Sequence, residues 1–134
     1  MSNFSFLDGK WMESGKFGRK AEESYLYGDP TAVLFHLRTF LEKLTKLLID
    51  LSGNEIDNKE LNLNERIILL ERQGTLPKVI ANKFHKLRMD ANIVVHEGGE
   101  NLAEPIDALE ALNYIKLAYS IAVWSYQEFD FAGF

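Results

Sequence analysis

The sequence of 134 residues predicts an all-α protein: a five-helix, mostly antiparallel bundle with an irregular N-terminal arm. The main observation is a run of leucines spaced alternately three and four residues apart, which places them on one helical face. Glycines and prolines separate the predicted helices, and the short connections favour antiparallel neighbours. Strand signals are weak, because the one β-branched cluster, residues 93–95, falls inside a helical apolar stripe. The leucines of the run are Leu34, Leu37, Leu41, Leu44, Leu48 and Leu51.

The first two helices are delimited by clear start and stop signals. The first is predicted from about residue 16 to residue 27 and stops at Gly28. Asp29 and Pro30 are typical of a helix start, with the aspartate as N-cap and the proline in the first turn. The second helix continues to about residue 52 and contains the leucine run.

Three further helices follow a polar turn at residues 53–62. The third is predicted from about residue 65 to residue 73, with Asn62 or Asn64 as its cap and Gly74 at its end. Thr75 is the predicted cap of the fourth helix, which we expect to run to about residue 97. Pro105 opens the fifth helix, which extends to about residue 129.

The chain divides into three predicted parts around a single domain, as its length suggests. Residues 1–15 form an arm whose aromatic side chains, among them Phe4 and Trp11, are rarely left in water. We expect this arm to dock on the bundle or on a neighbouring domain. Residues 16–129 form the predicted bundle, and residues 130–134 follow it.

Composition and charge exclude several classes of function. With no cysteine, the chain has no disulfide, no thiolate metal site and no cysteine nucleophile, and its three histidines lead us to expect no metal site. The net charge of −5 argues against a general nucleic-acid coat. That charge belongs to residues 98–134, with one basic and six acidic residues, because residues 1–97 carry 14 of each. No secretory signal or membrane span is visible, so we expect a cytoplasmic protein.

One line of polar residues on the fourth helix is the main candidate site. Its members are spaced to lie beside the apolar stripe, and Glu97 follows directly and could raise the pKa of His96. Histidine can act as acid or base, and arginine can hold a phosphate or carboxylate. The alternative is that these are ordinary polar boundary positions that pair with neighbouring helices. The line consists of His85, Arg88, Asn92 and His96.

Two other features have a mainly structural interpretation. Arg38 and Glu42 on the second helix are four residues apart, which suits an ion pair within the helix. The fifth helix is apolar almost all round, so it is either central in the bundle or covered by a partner. The second case would allow a homodimer through this C-terminal helix.

A resemblance to a known family rests mainly on residues 84–97, which read FHKLRMDANIVVHE. This segment resembles a stretch of a helical domain of unknown function at the N-terminus of the R subunit of type I restriction enzymes. Segments 3–7, 37–43, 63–67 and 122–126 are similar to the same domain. The closing residues 129–134 resemble the start of the linker that follows it, which implies that residues 130–134 begin a linker to downstream domains. The domain also resembles the HEPN superfamily, whose members often carry Arg-Asn, three residues, then His. Asn92 and His96 occupy the last two of these places, but Ala91 occupies the arginine place and Arg88 lies one turn earlier.

The resemblance implies a non-catalytic interaction and assembly module of an R-subunit-like protein. Other domains and subunits of a restriction–modification complex would be its partners, and DNA would be reached through the parent protein. The parent's ATP-dependent DNA translocation and cleavage would need ATP and Mg²⁺ downstream, because this chain lacks a phosphate-binding loop. The alternative is a HEPN-like domain that cleaves RNA or binds a nucleotide or phosphate through Arg88, Asn92 and His96.

Overall fold

The structure, a computed structural model, describes residues 2–53, 60–96 and 106–131, without the side chains of residues 93–96 and 131. Within these ranges the chain forms five α-helices and no β-strand, which confirms the predicted all-α bundle. A 3₁₀ turn, Gly9–Trp11, precedes the first helix and a π-helical turn, Gln127–Phe131, follows the last. The helices are α1 (Met12–Leu26), α2 (Pro30–Leu51), α3 (Leu63–Arg72), α4 (Lys78–His96) and α5 (Ala108–Tyr126).

Side-chain caps fix the starts of three helices, two of them at a predicted residue. The Asp29 carboxylate accepts a hydrogen bond from the backbone N–H of Ala32 and caps α2. Asn62 caps α3 in a capping box, because the Glu65 side chain accepts in return from the Asn62 N–H. Helix α5 is capped by Asp107 and begins after the predicted start at Pro105, a residue outside the described part of the chain.

Helix α2 lies at the centre of the hydrophobic core. The five leucines of the run from Leu34 to Leu48 are fully buried, as the spacing predicts, whereas Leu51 in the last turn is partly exposed. Each of the other four helices contacts α2. The seam therefore works as the common packing surface of the bundle.

The N-terminal arm docks on the bundle. Phe4 is fully buried, and its ring meets the rings of Phe40 and Tyr119 edge-to-face at centroid distances of 5.8 and 6.0 Å. Helix α1 starts at Met12, earlier than predicted, because the buried Trp11 and the 3₁₀ turn lead directly into it. The early part of α1 is therefore specified by tertiary packing that the local sequence pattern does not reveal.

Helix α5 is covered largely by its own chain. Its inward face, which includes Ile115, Ala118 and Ile121, is buried against α1, α2 and α4. Leu109 and Tyr119 remain exposed on its outer face. This burial matches the central-helix interpretation, and a homodimer through α5 stays a prediction. None of the described helices is both long and apolar enough to cross a membrane.

The π-helical turn after α5 packs against the arm. Lys10 Nζ lies 3.4 Å from the carboxylate of Asp130. Burial alone would raise the pKa of Asp130, but the polar groups of Trp11, Lys10 and Tyr126 near its carboxylate lower the pKa overall. Residue 130, the first of the predicted linker, therefore belongs to a helical turn that contacts the start of the chain.

Candidate functional site

Helices α2 and α4 bring two of the predicted sites together. The Nε of Arg38 donates a hydrogen bond to Oδ1 of Asn92 at 2.9 Å, and its NH1 donates to Oε1 of Glu42 at 2.8 Å. The predicted Arg38–Glu42 ion pair is thus present, with side chains that are 21% and 34% exposed. Asn92 is anchored to this pair, so the polar line of α4 and the ion pair of α2 form one network.

Helix α3 adds two charged residues that the sequence analysis missed. Arg66 is only 5% exposed; burial lowers its pKa, and the opposing charge of Glu42 raises it in part. Glu71 lies 4.0 Å from Nε2 of His85. A signal for Arg66 did exist: it lies between Leu63, Ile67 and Leu70 on a helical stripe, where a buried charge is rare.

His85 and Arg88 are partly buried at the same interface. Burial lowers the pKa of His85, the positive charge of Arg88 lowers it further, and Glu71 opposes both. The imidazole is therefore neutral at pH 7. Burial also lowers the pKa of Arg88, although an arginine keeps its charge in proteins. Together these residues form what we call the polar cluster: Arg38, Glu42, Arg66, Glu71, His85, Arg88 and Asn92.

The polar cluster contains more donors than acceptors. Its three arginines face two glutamates, which leaves one excess positive charge while His85 is neutral. The Nε of Arg66, the Nε of Arg88 and the Nδ1 of His85 are buried without a hydrogen-bond partner among the described residues. Each such buried group costs about 1–3 kcal/mol of stability when it stays unpaired.

Two residues of the predicted site are not placed by the structure. His96 is the last residue of α4, but its side chain lies outside the described residues, as does all of Glu97. His85, Arg88 and Asn92 are brought to the interface of α4 with its neighbours. Among the described side chains, no three histidine, aspartate or glutamate residues are grouped closely enough to hold a metal ion.

A second polar contact joins α4 to α5 outside the polar cluster. The hydroxyl of Tyr114 donates to Oδ2 of Asp90 at 2.7 Å, and Lys86 lies 3.1 Å from the same oxygen. Burial, and then the hydrogen bond to Asp90, raise the pKa of Tyr114 well above its ordinary value. Tyr114 is therefore a fixed donor that orients α5 against α4, and it is not available as a base near neutral pH.

The fold and the polar cluster define a small helical-bundle domain with an arginine-rich interface. A family model described as a domain of unknown function, DUF4145, matches residues 20–126. The chain therefore belongs to this family. No curated protein and no solved structure is significantly similar to it.

Proposed function

We propose that the domain is a non-catalytic interaction and assembly module of a larger protein similar to the R subunit of type I restriction enzymes. ATP-dependent translocation and cleavage of DNA would then be carried out by other domains, where ATP and Mg²⁺ bind. The partners of the module would be those domains and the other subunits of the restriction–modification complex.

The hydrogen bond between Arg38 and Asn92 carries this proposal. Of the two residues that match the HEPN pattern, Asn92 and His96, only Asn92 has a described side chain. A HEPN-like catalytic site would need this side chain to contact a substrate phosphate. Its amide oxygen accepts from Arg38 at 2.9 Å, and Arg38 is itself paired with Glu42. This arrangement supports a role for Asn92 in holding α4 against α2, because the hydrogen bond fixes the orientation of its amide across the interface of the two helices.

Purification from the source cells under native conditions tests the assembly role. We expect the chain to co-purify in fixed stoichiometry with DNA-methylating and sequence-recognising subunits of a restriction–modification complex, as identified by mass spectrometry. A native mass that corresponds to the chain alone, in extracts where the complex is intact, would contradict the proposal.

A second candidate function, phosphate or nucleotide binding, is favoured by the unpaired donors of the polar cluster. Buried Nε–H groups of Arg66 and Arg88 that lack an acceptor favour an anionic ligand, such as a phosphate group, at this interface. Titration with inorganic phosphate and with AMP, followed through the ¹H–¹⁵N signals of the arginine side chains, tests this candidate. We expect saturable shifts of the Arg88 signal that disappear in Arg88→Gln, and unchanged signals would exclude it.

RNA cleavage, the catalytic form of this alternative, has a direct test. The wild-type chain and the variants Asn92→Ala and His96→Ala are incubated with single-stranded RNA and Mg²⁺. A non-catalytic module gives the same background level of products in all three samples. Wild-type cleavage that both variants abolish would replace the interaction module with a ribonuclease.

A further inference from the structure

An open cleft lies between α1 and α5, on a different side of the bundle from the polar cluster. Its volume is about 490 Å³, within the range of sites that hold a small ligand or a peptide segment. Apolar side chains of both helices form one part of its lining, and the start of the arm with charged residues of α1 forms the rest. The lining residues are Ser2, Asn3, Arg19, Glu22, Glu23, Tyr25, Leu26, Leu112 and Ile115.

The cleft continues a groove that the chain's own arm already fills. A Cβ atom at Gly18 of α1 would lie 2.5 Å from the Phe4 ring, so the ring rests directly on the helix backbone. Glu22 accepts hydrogen bonds from the Ser2 hydroxyl and from the Asn3 side chain. The α1–α5 surface thus binds an aromatic-rich segment, folded in turns at residues 3–6, through an apolar contact and a carboxylate.

The cleft beyond Ser2 also has apolar side chains and carboxylates, and none of the described residues fills it. Leu26 lines the cleft and is 81% exposed, and the following Tyr27 is 89% exposed. Leu112 and Ile115 of α5 form apolar lining opposite α1. Exposed apolar surface beside a cleft marks a surface that a partner covers.

The charges around the cleft select the chemistry of the partner. Two carboxylates, from Glu22 and Glu23, line it with one guanidinium, from Arg19. An excess of carboxylates at the edge of an apolar cleft favours a segment that combines apolar and basic side chains.

We propose that the α1–α5 cleft binds a segment of a partner protein in which leucine-like apolar residues alternate with lysine or arginine. This inference rests on the proposed interaction module and names the surface it uses. A second copy of the chain fits less well, because its net charge of −5 would repel the carboxylates around the cleft.

Binding of a synthetic probe to the full chain tests the proposal. The probe is a short, end-blocked and fluorescently labelled peptide of alternating leucine and lysine, and its counterpart has glutamate in place of lysine. Fluorescence anisotropy is expected to give a dissociation constant for the lysine peptide at least about tenfold lower than for the glutamate peptide. Equal affinities, or no binding of the lysine peptide, would overturn the proposal.

Two matched variants separate the cleft from general charge attraction. Leu26→Asn places a neutral amide on the apolar lining, whereas Val79→Asn places the same amide at an exposed position of α4 outside the cleft. Both positions are more than two-thirds exposed, so both variants are expected to fold. Leu26→Asn should weaken binding of the lysine peptide about tenfold or more, because it removes apolar contact without changing the charge, and Val79→Asn should leave the binding unchanged. An equal effect of the two variants would show that the cleft is not the binding surface.

The two experiments distinguish a failure of the cleft proposal from a failure of the proposed interaction module. If the chain co-purifies with restriction subunits and Leu26→Asn changes neither that association nor peptide binding, the cleft proposal is wrong and the module stands. If the lysine peptide binds at the cleft but the chain is purified alone, the module proposal is wrong and the cleft remains a peptide-binding site.

Discussion

Two sides of the bundle are held together by different physics. On the arm side, Phe4 and Trp11 are at most 1% exposed and pack by shape against helices and rings. On the side of the polar cluster, Arg38 and Glu42 keep 21% and 34% exposure and bind through directed hydrogen bonds. The arm side has one buried donor without a hydrogen-bond partner among the described residues, Nε1 of Trp11, whereas the polar cluster has two arginine donors, Nε of Arg66 and of Arg88, in that state. Buried donors without a partner are expected where a ligand supplies the acceptor, so the polar cluster is the better candidate for a ligand site.

The largest expected effect is on the arm side, in the variant Phe4→Ala. The ring is fully buried between Phe40 and Tyr119, so its removal leaves a cavity and should cost about 3–5 kcal/mol of unfolding free energy. Chemical denaturation followed by circular dichroism measures this loss. Phe35→Ala, at a position that is 52% exposed, is the control and should cost much less. Similar losses in both variants would show that the arm is only loosely attached.

Gly18→Ala tests the same contact from the helix side. The added methyl would lie 2.5 Å from the Phe4 ring, so the arm must shift, and we expect a loss of about 1–3 kcal/mol. An alanine in an open helical position would instead stabilise the helix. In the double variant Phe4→Ala/Gly18→Ala the clash is absent, so the two losses should not add. Additive losses would mean that Gly18 is needed for another reason.

The contacts within one helix and the contacts of the arm differ in how well the sequence could predict them. The leucine seam and the Asp29 cap depend on spacing within one helix, and both were predicted correctly. The contact between Phe4 and Gly18 depends on which groove the arm enters, and no local pattern contains that information. The early start of α1 was missed for the same reason, since it depends on the burial of Trp11.

The sequence predicted two parts of the polar cluster as separate features. The polar line of α4 and the pair of Arg38 with Glu42 could each be recognised, because the residues of each follow the helical repeat within one segment. Their union through Arg38 and Asn92, which are 54 residues apart, depends on how α2 and α4 pack. Arg66 could have been flagged as a charge in an apolar stripe, but its proximity to Glu42 could not.

The Arg38–Asn92 contact provides the matching test on the polar side. Asn92→Ala leaves the partly buried Nε of Arg38 without its acceptor and should cost about 1.5–3 kcal/mol, less than Phe4→Ala. A double-mutant cycle with Arg38→Ala, measured by chemical denaturation, isolates the coupling between the two side chains. Asn113→Ala, at an exposed position of α5, is the control and should be nearly neutral. Zero coupling in the cycle would remove the argument that Asn92 is held inside the fold.

The histidine of the polar cluster predicts a smaller, pH-dependent effect. Burial and Arg88 lower the pKa of His85 in the folded state below the ordinary value of 6.5, so protonation favours the unfolded chain. The stabilising contribution of neutral His85 is complete above pH 6.5 and is lost as the pH falls through the lower, folded pKa. We expect the unfolding free energy to fall with decreasing pH in this window, and His85→Gln to reduce that slope. An unchanged slope in the variant would assign the pH dependence to other groups.

The smallest expected effect belongs to Lys10→Ala on the arm side. Its ammonium group is 49% exposed and lies 3.4 Å from Asp130, and ion pairs of this kind often add no measurable stability because solvent screens them. Trp11 and Tyr126 still surround the same carboxylate after the substitution. The thermal unfolding midpoint should therefore equal that of the wild type, in low and in high salt. A clear loss that disappears in high salt would show that the arm, too, is held by charge, and the contrast between the two sides of the bundle would no longer hold.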